Sequence, residues 1–251
     1  MLGRRNVLQL LAAAAALPAS VAFAGETRID KLILAAQGQG DMPQRIDFIS
    51  RALLGTSYRG YTLIGGPKSR EKFVVRDDGF DCVTFCETVL AAAITREPSG
   101  FDGVLRKVRY HDGVVNWYQR NHYFFEWGQH NIENKTCRAV SMDGAVEIEK
   151  TVYWHKALGR RSFAMQVIPC DVFMDGVALL RTGDIVGFVT QRPNLDYFHI
   201  GFVIFDDNGR FMLRHAARSR GRVLDERMER FAEQNRVRYV TLLRPQEFAV
   251  V

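Results

Sequence analysis

The chain has 251 residues, 47% of them hydrophobic, and its 34 basic against 28 acidic side chains give a net charge of +6. That length admits one large domain or two small ones, and four cysteines are too few for a disulfide-stapled scaffold. The moderate basicity suits an anionic partner, and it suits plain solubility equally well.

Arg4 and Arg5 precede an apolar run from Val7 to Leu17, followed by Pro18, Ser20 and Ala22-Phe23-Ala24. This is the pattern of a secretory signal peptide, residues 1–24, cut after Ala24. The run is too short and too interrupted to remain as a membrane span. Its paired arginines are similar to a twin-arginine export signal, although Gly3 and Gln9 depart from that pattern. No cysteine lies near the cut, so no lipid anchor is indicated. The expected product, residues 25–251, is periplasmic or otherwise exported, with no stable membrane anchor and no nucleic acid to meet.

Ile29, Leu32, Ile33 and Ala36 predict a short helix ended by Gly38, and Ile46, Ile49 and Leu53 a second, from Pro43 to a stop at Gly55. Tyr58-Arg59-Gly60-Tyr61 is a glycine-punctuated loop. From Cys82, the apolar positions Phe85, Cys86, Val89, Leu90 and Ala93 are spaced for a helix, with Asp81 as its N-cap and Arg96-Glu97-Pro98 as its end. Phe101, Val104, Leu105 and Val108 predict another helix, and residues 137–153 a hairpin about Asp143-Gly144. The last third predicts strands at Asp184–Thr190, Phe198–Phe205, Arg210–Ala216 and Val237–Leu243, with a helix near 225–234. Helices first and antiparallel strands later define an α+β domain.

Two readings fit Cys82. It is either one more core position on the helical stripe, or a nucleophile at a helix start, where free N–H groups and the positive dipole end favour thiolate. The hairpin around Asp207-Asn208-Gly209 bears on the choice. With a three-residue loop and Gly209 left-handed, Phe205 faces Phe211, Val203 faces Leu213 and Gly201 faces His215. His199 then shares a face with His215, whereas a two-residue turn would put them on opposite faces. A cysteine to attack, His199 to take its proton and His215 to orient His199 complete a triad logic. Histidines 111, 122, 130 and 155 show no HExxH or other short-spaced ligand pair, so no metal and no cofactor are assigned.

Tyr58, Asp81-Cys82-Val83-Thr84-Phe85, His199-Ile200-Gly201-Phe202 and His215-Ala216 occur in the order of the NlpC-type cell-wall cysteine peptidases. More closely, the chain resembles the N-acetylmuramoyl-L-alanine amidase-like branch of that papain-fold superfamily, from about residue 43 to Pro245. The resemblance implies a papain-like fold in which N-terminal helices, one capped at the catalytic Cys82, pack on a C-terminal antiparallel sheet. It implies Cys82 as nucleophile, His199 as base, His215 as third polar member and Tyr58 lining the site. Asp81, Arg120, Asn121, His122 and Tyr123 are the further candidates for substrate contact. Val83-Thr84 stands where the superfamily usually has Ser-Gly. The interval from Cys82 to His199 is long for it, making residues 98–180 an expected elaboration around the cleft.

Trp117 to Trp127 fits either a small aromatic core under a loop or a sugar-binding wall, with Arg120 available to a peptide carboxylate. Arg214, Arg218, Arg220 and Arg222 read as a solvated basic face, from which one could meet a stem-peptide carboxylate. Cys137 and Cys170 are candidates to pair. The implied activity is a cysteine amidase cleaving the N-acetylmuramic acid–L-alanine bond of peptidoglycan or its muropeptide fragments. The alternatives are a γ-D-glutamyl–diaminopimelate endopeptidase of the same fold, a zinc amidase using other histidines, and a non-catalytic module that binds wall fragments.

Overall fold

A computed structural model describes residues 26–247; the expected signal peptide lies outside the described residues. Two capped helices open the fold. Helix α1 (Arg28–Ala36) is closed at its start by a Thr27–Asp30 capping box, and α2 (Met42–Ala52) by an Asp41–Gln44 box, so the first orphan N–H groups are satisfied. Strand β1 (Ser57–Tyr58), the ribbon β2 (Ile64–Gly66) and β3 (Ser69–Lys72), and β4 (Gly79–Phe80) lead to α3 (Cys82–Ile94). Then come α4 (Phe101–Arg109), α5 (Phe124–Glu133), β5 (Cys137–Val140), β6 (Val146–Val152), β7 (Arg161–Pro169) and α6 (Cys170–Asp175). The last described elements are β8 (Ile185–Val189), β9 (Tyr197–Phe205), β10 (Phe211–Ala217), β11 (Arg222–Arg227), α7 (Met228–Gln234) and β12 (Tyr239–Pro245).

One large sheet runs in the order β4-β1-β11-β10-β9-β8-β12-β7-β6, with β5 also beside β12, and among these pairings only β1–β4 is parallel. The α+β expectation therefore holds, with helices on both faces of the sheet. Residues Thr84 to Ile94 of α3 are all buried, which is how a helix apolar on every side must sit. Its Phe85 meets Phe202 of β9 edge-on at 5.8 Å, a pair that adds about 0.5–1.5 kcal/mol beyond area burial. Ile200, Phe202, Ile204 and Ala216 face this helical layer. The alternate residues Val203 and Leu213 face the other way, against Phe173 of α6 and Met228 and Phe231 of α7.

Two buried arginines tie the early helices to the late strands. Arg45 of α2 donates to the Ala93 carbonyl at 2.9 Å, at the end of α3, and pairs with Glu247. Arg214 of β10 grips Asp225 through two bonds of 2.7 Å and reaches Asp47 and Ser50 of α2 at 2.8 and 2.9 Å. It is thus a buried strut and no part of a solvated basic face.

Three further expectations are corrected. The Asp143-Gly144 turn forms, but its arms part: β5 pairs with β12 and β6 with β7, so 137–153 is not a hairpin. The helix near 225–234 is preceded by β11, and only Met228–Gln234 is helical. Cys137 and Cys170 are free thiols. Cys137 lies across from Pro245 while the Cys170 N–H bonds the Arg238 carbonyl, which puts them near opposite ends of β12, about 20 Å apart along the strand. No helix among the described residues is long and apolar enough to cross a membrane.

Candidate active site

The start of α3 is fixed by a reciprocal cap. Asp81 Oδ1 accepts the Thr84 N–H at 2.8 Å, and Thr84 Oγ1 accepts the Asp81 N–H at 3.0 Å. The N–H groups of Cys82 and Val83, with that of Ile200 on β9, reach the Cys82 sulfur. These donors favour thiolate, as the sequence suggests, but they do not prevail. Burial foremost, then the Asp81 carboxylate, push the thiol up to about 12. At rest Cys82 is a neutral thiol. One turn deeper, Cys86 is wholly buried and pushed well above the usual thiol range by the same desolvation.

The histidine hairpin takes the expected register: Phe211 faces Phe205, Leu213 faces Val203, and Gly209 closes the loop at φ +71°. His199 Nε2 and His215 Nδ1 are 2.6 Å apart, their rings nearly perpendicular. Gly201 makes room for this, since a Cβ there would come within 3.0 Å of His215 Cβ. Both rings lie against Phe231, and that of His199 also against Phe188, on the sheet face away from the Ile200–Phe202 contact with α3. Burial holds His199 down to about 3, helped by His215, and holds His215 down to about 4 against a weaker pull from Asp225. Both are neutral at ordinary pH. Beyond them, His215 Nε2 is buried without a hydrogen bond, 3.6 Å from Glu226 Oε2. Glu226 follows from strand alternation, since His215 pairs with Leu224 and Glu226 is two residues on.

Cys82 opens onto a cleft of about 760 Å³. Tyr58, Asp81, Arg120, Asn121 and His122 line it as expected; His199 and His215 are not on its wall, and the N–H that reaches the sulfur from β9 belongs to Ile200, the residue after His199. The Tyr58 hydroxyl is pushed up to about 12, mainly by burial, so it is a donor at neutral pH. Arg120 is already engaged, its Nη1 donating to Glu71 Oε1 at 3.0 Å, an oxygen that also accepts from Tyr110 at 2.9 Å. Asp81 is likewise committed to the cap. Tyr123 is corrected out of the cleft: it is buried, and its hydroxyl accepts the Trp154 N–H at 2.8 Å. Trp117, Tyr123, Phe124 and Trp127 are core, so most of the aromatic stretch packs inward.

The sequence reading misses several cleft residues. Trp154 stacks on His122 with ring centres 5.3 Å apart, and His155 adjoins it. Burial holds His122 down to about 4, and its Nε2 lies 2.7 Å from the Trp117 carbonyl. Arg218 is the member of the basic run that enters the cleft, and it is exposed. Glu87, another wall residue, is bonded at 2.7 Å to the buried Arg109.

Residues 48–238 match the N-acetylmuramoyl-L-alanine amidase-like (AmiA-like) family, and the chain belongs to it. No curated protein matches the chain. Among solved structures, a Legionella pneumophila protein superposes with a TM-score of 0.75 at 20% identity, covering 86% of this chain and 93% of its own. An N-acetylmuramoyl-L-alanine amidase of Bacteroides uniformis superposes with a TM-score of 0.70 at 22% identity, covering 88% and 100%. At these identities the likeness speaks for the fold.

Proposed function

We propose that the protein is an exported cysteine amidase of the papain-like NlpC type that splits the bond between N-acetylmuramic acid and L-alanine in peptidoglycan or muropeptides. The observation that carries this reading is the position of Cys82. It starts a capped, buried helix, opens on the cleft, and accepts the N–H of the residue that follows His199. Membership of an amidase-like family supports the substrate class.

The tautomers follow from the hydrogen bonds. To take the thiol proton, His199 must present an unprotonated Nδ1, because its Nε2 is the atom bonded to His215. His199 then carries its proton on Nε2 and donates it to His215 Nδ1, which leaves the His215 proton on Nε2, facing Glu226. Each group orients the next, in the manner of a triad with one added member. The sulfur adds to the muramoyl amide carbonyl, and the N–H groups at the helix start receive the developing oxyanion. His199 returns the proton to the departing L-alanine nitrogen, and water hydrolyses the thioester to restore the thiol. Arg218 supplies a positive charge for a stem-peptide carboxylate.

Mass spectrometry of a defined muropeptide incubated with the protein tests the reading. It should yield the intact stem peptide with a free L-alanine amine and the sugar with a free lactyl carboxylate. Cleavage after D-glutamate would replace the amidase by an endopeptidase, and no turnover would leave only a binding module. Abolition by alkylation of Cys82, with chelators inert, separates cysteine from zinc chemistry. Cell fractionation tests export.

A further inference from the structure

Outside the cleft, three side chains with nitrogen and oxygen donors converge where α4 ends against α5. His111 follows α4, and His130 and Glu133 stand three residues apart on α5, hence on one face of that helix. One donor atom from each lies within 4.8 Å of the other two. The chain turns sharply to bring His111 there, with Asp112 at φ 51° and Gly113 at φ 68°, and its ring centre comes 4.6 Å from that of His130.

The state of His130 is fixed by its neighbour. His130 Nε2 is 3.0 Å from the Lys107 carbonyl oxygen. A carbonyl only accepts, so Nε2 carries the proton and Nδ1 is left with its lone pair. An imidazole whose far N–H is held by a backbone carbonyl is the arrangement that orients a histidine as a metal ligand. The carbonyl end of α4, where the group lies, also favours a positive charge. Asp112 adds a carboxylate 4.0 Å from His111 Nδ1. Three donors of the His, His, Glu kind match zinc-class ions with a fourth position left to water, and two imidazoles argue against calcium or magnesium. Around an ion at about 2.0–2.1 Å, the donors would close to roughly 3.3 Å apart. His111 and Glu133 are exposed and can make that adjustment while His130, buried, stays fixed.

We propose that His111, His130 and Glu133 bind one divalent transition-metal ion of the zinc class. The ion joins the end of α4 to α5 and braces the intervening segment, which delivers Arg120, Asn121 and His122 to the cleft. This site is separate from Cys82 and independent of the amidase reading.

The test is titration of chelator-stripped, untagged protein with Co²⁺ and then Zn²⁺. One Co²⁺ per chain should give the visible bands of low coordination number, and Zn²⁺ should bleach them. Zn²⁺ should also raise the melting temperature. His111→Ala and Glu133→Ala, both at exposed positions, should each weaken binding at least tenfold and remove the melting shift; His155→Ala should change neither. Should an alanine variant fail to fold, His111→Asn and Glu133→Gln serve instead. Three results would overturn the proposal: no saturable Co²⁺ binding, binding that survives both variants, or a near-ultraviolet thiolate band that vanishes in Cys82→Ala.

Discussion

The two sides of the cleft are built differently. Cys82 stands on a helix, and His199 and His215 on adjacent strands, so their positions follow from a repeat of 3.6 or 2 residues. The opposite wall, carrying Arg120, Asn121, His122, Trp154 and His155, is irregular backbone. It is held by individual bonds: a Tyr110–Arg120 bridge, the Asn121 N–H on the Arg109 carbonyl at 3.1 Å, and the Trp154 N–H on Tyr123. The rigid side suits chemistry, where small displacements are costly. The other side suits recognition, where a changed side chain alters what binds more than how fast it reacts.

The largest effect should come from the rigid side. Cys82→Ala should lower kcat by about 10⁴-fold or more with the circular dichroism spectrum unchanged. Cys86→Ala should cost only stability, about 1 kcal/mol in a denaturant titration, because it leaves a small cavity. Full activity of Cys82→Ala would remove the proposed mechanism.

Next, His199→Ala should approach the loss expected for Cys82→Ala. His215→Asn should retain more activity than His215→Ala, since the amide can still accept from His199. Glu226→Gln should lower kcat by roughly three- to tenfold with KM unchanged, a split that lost stability alone would not produce. Equal activity of all three His215 and Glu226 variants would mean that nothing beyond His199 is needed.

A pH scan separates the sides less sharply. His122, His199 and His215 are held down to about 4, 3 and 4, all by burial, whereas an unfolded histidine titrates near 6.5. Above 6.5 neither state binds these protons. As the pH falls from there toward 4, the unfolded chain gains protons that the folded chain refuses, so stability must fall with acid. The melting temperature should hold between pH 7 and 8 and decline below 6.5, and His199→Gln should make that decline shallower.

The smallest effect belongs to the irregular wall. Trp154→Ala should raise KM several-fold with kcat nearly intact, since the residue is half-exposed and lines the cleft. A collapse of kcat there would erase the distinction between the two sides.

The same division decides what was legible in the sequence. The Cys82 helix and the 199–215 hairpin were readable because their apolar positions repeat and Gly209 marks the loop. Glu226 was hidden because Arg222-Val223-Leu224-Asp225-Glu226-Arg227 carries four charges and reads poorly as a strand; pairing along β10 makes it one. Tyr123 was misplaced because an aromatic-rich stretch does not disclose which rings turn inward. Trp154 reaches the cleft through a long-range bridge between Val152 and Asn194, which no local pattern announces.

The buried arginines have a consequence for how the chain acquires its fold. Arg45 closes on Glu247, Arg214 on Asp47, and Ser57 of β1 pairs with Arg222 of β11. Each of these contacts spans well over half of the sequence. During synthesis from the N-terminus, α1 and α2 can pack on α3 early, but Asp47 of α2 meets Arg214 only once β10 is made, and Arg45 meets Glu247 only after the last strand. Such non-local closure slows folding and prolongs exposure to aggregation. Chains truncated before β12 should therefore stay protease-sensitive throughout, including in the first helices.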